Sequence, residues 1–340
     1  MNILSLFDGM SCGMLAMLKA GVQVDNYYAY EIDKYAIQTA THNFPQIQEC
    51  GDVFNADFTK HHDIDFLIGG SPCTYWSIAQ SPDKRETTAS GKGWELFSQY
   101  VRALKESKPR YFIYENNKSM SKAIRDSITQ TFGFDPICIN SALVSAQNRQ
   151  RLYWIGKRNT DGAYSKVDVQ QPKDKGILLK DALDCVTGRK TGVQTQSKQY
   201  RELTEKEMDY MVRDHLDRRW SFCQRPAQDA KAKCLVANLA KGVPYNVCAI
   251  PAKAVSEPYE KAYTVYEVKN GDITIKGKAY PIKLIDGCYI IRKLTVSECQ
   301  RLQTVPDWYE FPVSNAQSYK LIGNGWTVDV IVHLIEATRE

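Results

Sequence analysis

The chain opens on an apolar run, Ile3-Leu4-Ser5-Leu6, then a polar glycine-bearing turn from Phe7 to Gly13, then an apolar stretch from Met14 to Ala20 that Gly21 closes. That is the order strand, turn, helix. The alternation recurs: Asp25 to Tyr30 predicts a second strand, Lys34 to Asn43 a helix, the region of Ile47 a third strand, and Asp65-Phe66-Leu67-Ile68 a short buried fourth. Ser81 to Gly93 has almost no apolar residues and reads as a surface connection or a lid. Beyond it, Trp94 to Lys105 predicts a helix, Arg110 to Tyr114 a strand, Ser119 to Phe132 a helix, and Ile137 and Leu152 to Ile155 two more strands. Strands and helices in this order predict an α/β fold with a doubly wound, mostly parallel sheet, whose ligands bind at the carboxyl ends of the strands.

From about Lys157 to Ile291 the alternation stops. Shorter strand-like pieces such as Tyr263 to Val268 and Asp272 to Lys276, separated by polar turns, predict a second, smaller mixed domain. Thr295 and Glu298 are spaced as a capping box, and Val328 to Ile335 is an apolar helix that returns beside the first strand. The predicted organisation is therefore a domain at 1–156, a second at 157–291, and a segment at 292–340 that rejoins the first.

Composition narrows the class. The 340 residues are 43% hydrophobic and 24% charged, ordinary for a soluble protein. No apolar run approaches the ~20 residues of a membrane span, and the first residues lack the basic start of a signal peptide, so a cytoplasmic protein is expected. Ten cysteines occur without a Cys-x-x-Cys and the five histidines are not paired at ligand spacing, which predicts reduced thiols and no metal. The net charge of +5 is unevenly placed: residues 157–291 carry 24 Lys and Arg against 17 Asp and Glu, and the rest of the chain is slightly acidic. A polyanionic partner for that segment is expected.

Candidate chemistry gathers at strand ends. In Gly69-Gly70-Ser71-Pro72-Cys73-Thr74-Tyr75-Trp76-Ser77 the glycines end the fourth strand, and Pro72 stiffens the loop that presents Cys73. A small buried thiol is the alternative to a nucleophile there. Glu31 ends the second strand, about 20 residues after the first turn, where an acid can accept ribose hydroxyls. Asp52 follows the third strand and could meet an adenine amino group, and helix capping is the alternative for both acids. The first turn lacks Gly-x-Gly-x-x-Gly, so the pair describes a nucleoside pocket without a phosphate cradle. Glu115 stands at the end of the fifth strand, and Arg149 and Arg151, two residues apart on one strand face, predict two guanidiniums directed at one site, with surface ion pairing as the alternative.

Taken in order, Phe7-Asp8-Gly9, Glu31, Gly51-Asp52-Val53, Gly70-Ser71-Pro72-Cys73, Glu115-Asn116, Gln147-x-Arg149-x-Arg151, Arg292-x-Leu294-Thr295-x-x-Glu298 and Gly323-Asn324 resemble the cytosine carbon-5 DNA methyltransferase family. The opening Leu4 to Gly9 and the closing Gly325-Trp326 are most similar to its de novo branch. The resemblance implies a Rossmann-like methyltransferase fold and S-adenosylmethionine as cofactor, leaving S-adenosylhomocysteine. It places that cofactor against Phe7, Asp8, Gly9, Glu31, Ile32, Asp52, Val53, Pro72, Asn324 and Trp326. It also implies that 157–291 is a target-recognition domain on double-stranded DNA, and that the target cytosine is flipped out of the stack. Cys73 becomes the nucleophile at carbon 6, Glu115 the donor to ring nitrogen 3, and Arg151 with Arg149 the donors to the carbonyl at carbon 2. A monomer in a bacterial or phage-infected cell is expected, with a cognate restriction enzyme as a candidate companion. Asn117 departs from the family, which usually has an apolar residue after Glu-Asn. The rival readings are a transfer-RNA cytosine methyltransferase and a catalytically silent nucleic-acid-binding homologue.

Overall fold

The computed structural model describes residues 1–77, 81–189, 203–212, 230–241, 245–256, 263–275, 277–282 and 284–339. They fall into two compact units: Met1–Asn140, Gln150–Lys173 and Trp326–Glu340 make the first, and Ser141–Arg149 with Asp174–Gly325 the second. Within this division 157–173 falls with the first unit and 292–325 with the second. The strand Gln150–Arg158 runs past Ile155 and pairs with Tyr164–Lys166, while the Tyr164 hydroxyl donates to the Pro109 carbonyl at 2.9 Å. Those bonds keep 157–173 with the first unit. At the other boundary Arg292 and Glu298 form an ion pair of 2.6 Å with both side chains inaccessible, and Glu298 also accepts from the backbone N–H of Asp184. Residues 292–302 therefore belong to the second unit.

The first unit is built on a sheet of eight strands: β1 (Asn2–Leu6), β2 (Asn26–Tyr30), β3 (Gln48–Glu49), β4 (Phe66–Gly69), β5 (Tyr111–Asn117), β6 (Ile137–Asn140), β7 (Gln150–Arg158) and β8 (Tyr164–Lys166). Their order is β3-β2-β1-β4-β5-β7-β6, with β8 beside β7. The first five are mutually parallel and β7 runs against its neighbours. Chain order reverses at β1, so the carboxyl ends of β1 and β4 form the switch point at which open sheets bind ligands. Ile3, Leu4, Leu6, Leu67 and Ile68 are wholly buried, as parallel strands covered on both sides require.

Helix Gly91–Ser107 buries Phe97, Tyr100, Ala103, Leu104 and Ser107, a helical spacing of three and four. Its rings join Phe112 and Tyr114 of β5, Phe132 and Trp154 in one aromatic core, each ring contributing roughly 1.5–3 kcal/mol by burial. Helix Val328–Ala337 packs on helix Cys12–Lys19, with an ion pair between Lys19 and Asp329. The chain thus returns beside its own beginning, as its apolar pattern suggests.

The second unit holds an antiparallel sheet, β9 (Val247–Pro251), β10 (Val265–Lys269), β11 (Asp272–Ile275), β12 (Lys278–Pro281) and β13 (Gly287–Lys293), in the order β12-β11-β10-β13-β9. Two of these strands lie within a residue or two of the expected pieces. Met208 and Met211 of helix Glu205–Val212 pack with Val247, Val268, Ile273 and Ile291 as its core. Helix Asn315–Asn324 is among those the hydrophobic pattern does not announce.

Candidate active site

The turn after β1 is held in an unusual backbone. Phe7, Gly9 and Ser11 all have φ between 55° and 60°, the left-handed region, where a phenylalanine is strained. Asp8 fixes it. Its Oδ1 accepts from the Ser5 hydroxyl at 2.5 Å and the Tyr27 hydroxyl at 2.6 Å, and its Oδ2 from the Ser11 hydroxyl. Burial raises the Asp8 carboxyl above its ordinary value, against the pull of those three hydroxyls. Asp8 therefore shapes the turn with its side chain.

Glu31 locks that turn to the end of β2. Its Oε2 accepts from Gly9 N–H at 2.8 Å, and its Oε1 from Ile32 and Asp33 N–H at 2.7 and 2.8 Å. Ile32 beside it is 74% exposed, an apolar surface open for a flat ring. Asp52 accepts from Phe54 N–H at 3.0 Å and so caps the turn that follows β3, while Val53 is core.

Glu49, at the end of β3, was not among the residues the motifs single out. Both of its carboxylate oxygens are shut off from solvent and have no hydrogen-bond partner. Burial, with Asp8 and Glu31 adding negative charge, pushes its pKa up to about 7. Periodicity gave no signal for it, because β3 is only two residues long.

On the other side of the switch point, β4 runs into the cysteine loop. The Ser71 hydroxyl meets the Tyr114 hydroxyl at 2.7 Å, and Asn116 Nδ2 donates to the Ser71 carbonyl at 3.2 Å. Pro72, at φ −49°, opens a single turn of 3₁₀ helix, Cys73–Tyr75. The Cys73 thiol is exposed, and its carbonyl accepts from Trp76 and Ser77 N–H at 3.1 and 2.9 Å. Gly70 must lack a side chain: a Cβ there would lie 2.8 Å from both the backbone oxygen and Oε2 of Glu115.

Glu115 sits between two donors. Arg151 Nε lies 3.0 Å from its Oε1, and the Trp326 indole N–H donates to its Oε2 at 3.0 Å. Asn117 fits this strand end without cost, because its N–H and Nδ2 donate to Asn116 Oδ1 while its own Oδ1 accepts from Ser119. A cleft lined by Asn117, Lys118, Ser119, Gln150 and Arg151 opens beside it.

The expected pair of guanidiniums is not what the chain builds. Arg149, 4% exposed, belongs to the second unit and donates there to the carbonyls of Leu235 at 2.7 Å, Gly323 at 3.2 Å and Gly325 at 2.9 Å. Gln303 also donates to the Ile322 and Gly325 carbonyls. Arg149 and Gln303 together satisfy the carbonyls left open at the carboxyl end of helix Asn315–Asn324. Asn324, the last residue of that helix, is exposed. Arg151 meets Glu115.

A Rossmann-like sheet with acids gathered after β1–β3, a thiol after β4, a carboxylate near the end of β5 and a guanidinium at the start of β7 defines a methyltransferase architecture. The family model for C-5 cytosine-specific DNA methylase matches residues 1–340. The chain belongs to that family. It is 28% identical over 361 aligned positions to the type II methyltransferase M.NlaX of Neisseria lactamica, covering 99% of this chain and 96% of that one. It is 35% identical over 170 positions to the orphan methyltransferase M.Rho11sI of Bacillus phage rho11s, covering 46% and 33%. Against the orphan methyltransferase M.SPRI of Bacillus phage SPR it is 30% identical and spans about half of that relative, 51%. Among solved structures, the Entamoeba histolytica methyltransferase EhMeth superposes with a TM-score of 0.66 at 13% identity, covering 99% of this chain and 97% of that one. The S. pombe Dnmt2 methyltransferase gives 0.58 at 17%, covering 98% and 97%. These likenesses carry the fold. Among the described residues no helix is long and apolar enough to cross a membrane.

Proposed function

We propose that this chain methylates carbon 5 of cytosine in double-stranded DNA, with Cys73 as nucleophile and S-adenosylmethionine as methyl donor. The observation that carries the reading is the contact between two strand ends: the Cys73 loop leaves β4 through Gly70, whose backbone lies against the Glu115 carboxylate, itself held by Arg151 and Trp326. Carbon 5 of cytosine is a poor nucleophile until carbon 6 is attacked. The Cys73 thiolate adds to carbon 6 while Glu115 supplies a proton to ring nitrogen 3, so the electron pair released by addition resides on an enamine. Arg151 donates toward the carbonyl at carbon 2. After carbon 5 is methylated, loss of its proton returns the electron pair and expels the cysteine, and ring nitrogen 3 gives its proton back to Glu115.

The donor set suits a cationic nucleoside cofactor. Glu31 with one Oε2 lone pair remaining and the exposed Ile32 supply an acceptor for hydroxyls and an apolar face for a base. Phe7, Asp8 and Gly9 provide the turn, Asp52, Val53 and Pro72 its rim, and Asn324 and Trp326 complete the family set. S-Adenosylmethionine bound there supplies the methyl group and leaves S-adenosylhomocysteine. The basic segment 157–291 serves as the target-recognition part, its excess of Lys and Arg meeting phosphate. We take it to act as a monomer, alone or beside a cognate restriction enzyme, a reading in keeping with its type II and orphan relatives.

The deciding measurement is incorporation of labelled methyl groups into duplex DNA and into transfer RNA side by side, with bisulfite sequencing of the DNA. Incorporation into DNA at a defined sequence is expected. Incorporation into RNA alone, or into neither, would overturn the proposal.

A further inference from the structure

The cysteine loop is fastened at both ends, and only one fastening belongs to the family motif. On the amino side are Ser71, Tyr114 and Asn116. On the carboxyl side the indole of Trp76, wholly buried three residues after Cys73, donates to Glu86 Oε2 at 3.1 Å. The same carboxylate accepts the Gly93 N–H at 3.1 Å to Oε2 and 3.3 Å to Oε1, and the Glu86 N–H donates to the Tyr75 carbonyl at 2.8 Å. Ser90, the N-cap of helix Gly91–Ser107, makes no capping bond with its side chain. Glu86 thus supplies the capping acceptor that Ser90 does not, and joins it to the tryptophan of the nucleophile's loop.

The fit around this carboxylate is close. A Cβ at Gly93 would come within 2.4 Å of Trp76 Nε1 and 2.7 Å of Glu86 Oε2. The loop carrying Glu86 is pinned once more where the Ser121 hydroxyl donates to the Thr87 carbonyl at 2.5 Å. An acid that served only to cap a helix would need neither a buried indole nor a bare glycine opposite it.

We propose that Glu86 is a positioning residue for the nucleophile: its carboxylate holds Trp76, and through it the Cys73–Tyr75 turn, on the amino end of helix Gly91–Ser107. The inference rests on Cys73 being the nucleophile, and its first readout needs neither cofactor nor DNA. In Glu86→Ala the turn loses its carboxyl-side anchor. In Glu86→Gln one acceptor oxygen remains, so part of the effect returns. Trp76→Phe removes the donor of the same bond, and combining it with Glu86→Ala should add little to Glu86→Ala alone.

The test uses the full-length protein. The rate of iodoacetamide labelling of Cys73 is followed by peptide mass spectrometry, with Cys138 as internal reference and a thermal melt as control for folding. Glu86→Ala is expected to label Cys73 at least about threefold faster than wild type with Cys138 unchanged. It should also lower kcat by roughly tenfold to a hundredfold with KM for DNA within about twofold, and Glu86→Gln should fall between. Wild-type labelling and kcat in Glu86→Ala, or additive losses in the double variant, would overturn the positioning role. Faster labelling in a protein whose wild type transfers no methyl group to DNA would uphold the positioning role and sink the proposed reaction.

Discussion

Glu49 and Cys73 make opposite demands on their surroundings, and each carries a prediction. Cys73 is exposed at the crest of a fastened turn, so its replacement should remove chemistry and little else. Cys73→Ala is expected to lower methyl transfer by at least about 10³-fold while S-adenosylmethionine binding, read by calorimetry, stays within about twofold of wild type. Retained turnover would remove the nucleophile from its role. Glu49 is held above its ordinary value, at about 7, by burial and by Asp8 and Glu31. The unfolded chain ionises near the ordinary 4.5. The folded state therefore binds the extra proton between these values, and stability present below 4.5 is lost as pH rises through 7. Glu49→Gln has no such loss. It should melt close to wild type at pH 4.5 and above it at pH 8, by about 1 kcal/mol once solvent screening is allowed for. Parallel melting curves at the two pH values would refute this.

At the scale of elements, the loop that carries Gln147 and Arg149 leads into β7 and at the same time completes helix Asn315–Asn324, since Arg149 and Gln303 take up the helix's last carbonyls. Arg149→Ala should therefore act on stability, by about 3 kcal/mol for a buried fork left without its carbonyl partners' donor. Arg149→Lys should recover less than half of that, because an ammonium cannot span three acceptors in the same plane. Urea melts read both. A normal melt with lost turnover would return Arg149 to the reaction. These bonds explain what the sequence could and could not reveal. Strands β1, β2, β4 and β5 announce themselves because each is a continuous apolar run between turn residues, and Cys73, Glu31, Asp52, Glu115 and Arg151 all fall at strand ends that such runs mark. Arg149 misleads because two residues of strand spacing suggest a shared face, whereas β7 begins only at Gln150 and Arg149 precedes it. Glu49, Glu86 and Trp76 stay silent because their roles arise from partners on other parts of the fold.

For the whole molecule, charge can be read from the sequence directly, while the limits of the compact units depend on contacts. The excess of Lys and Arg in 157–291 is a sum and needs no fold to be read. The boundaries depend on one ion pair, Arg292 with Glu298, and on one hairpin, β7 with β8, neither of which a composition shift reveals. Counterion release predicts that DNA affinity falls steeply with salt; with about six phosphates neutralised, a change from 50 to 200 mM should cost about 10³-fold. Affinity measured by fluorescence anisotropy across that range checks it, and a flat response would separate the basic segment from DNA.

The placement of Trp326–Glu340 in the first unit has a further consequence, for synthesis rather than chemistry. The ribosome delivers β1 to β5 early, with Cys73 and Glu115 already in the chain, yet the tryptophan that donates to Glu115 and the helix that covers Cys12–Lys19 come last. Between them the whole of 174–325 must emerge. On the reaction proposed above, a nascent chain would therefore carry Cys73 long before the residues that finish the site, and methyl transfer would await them.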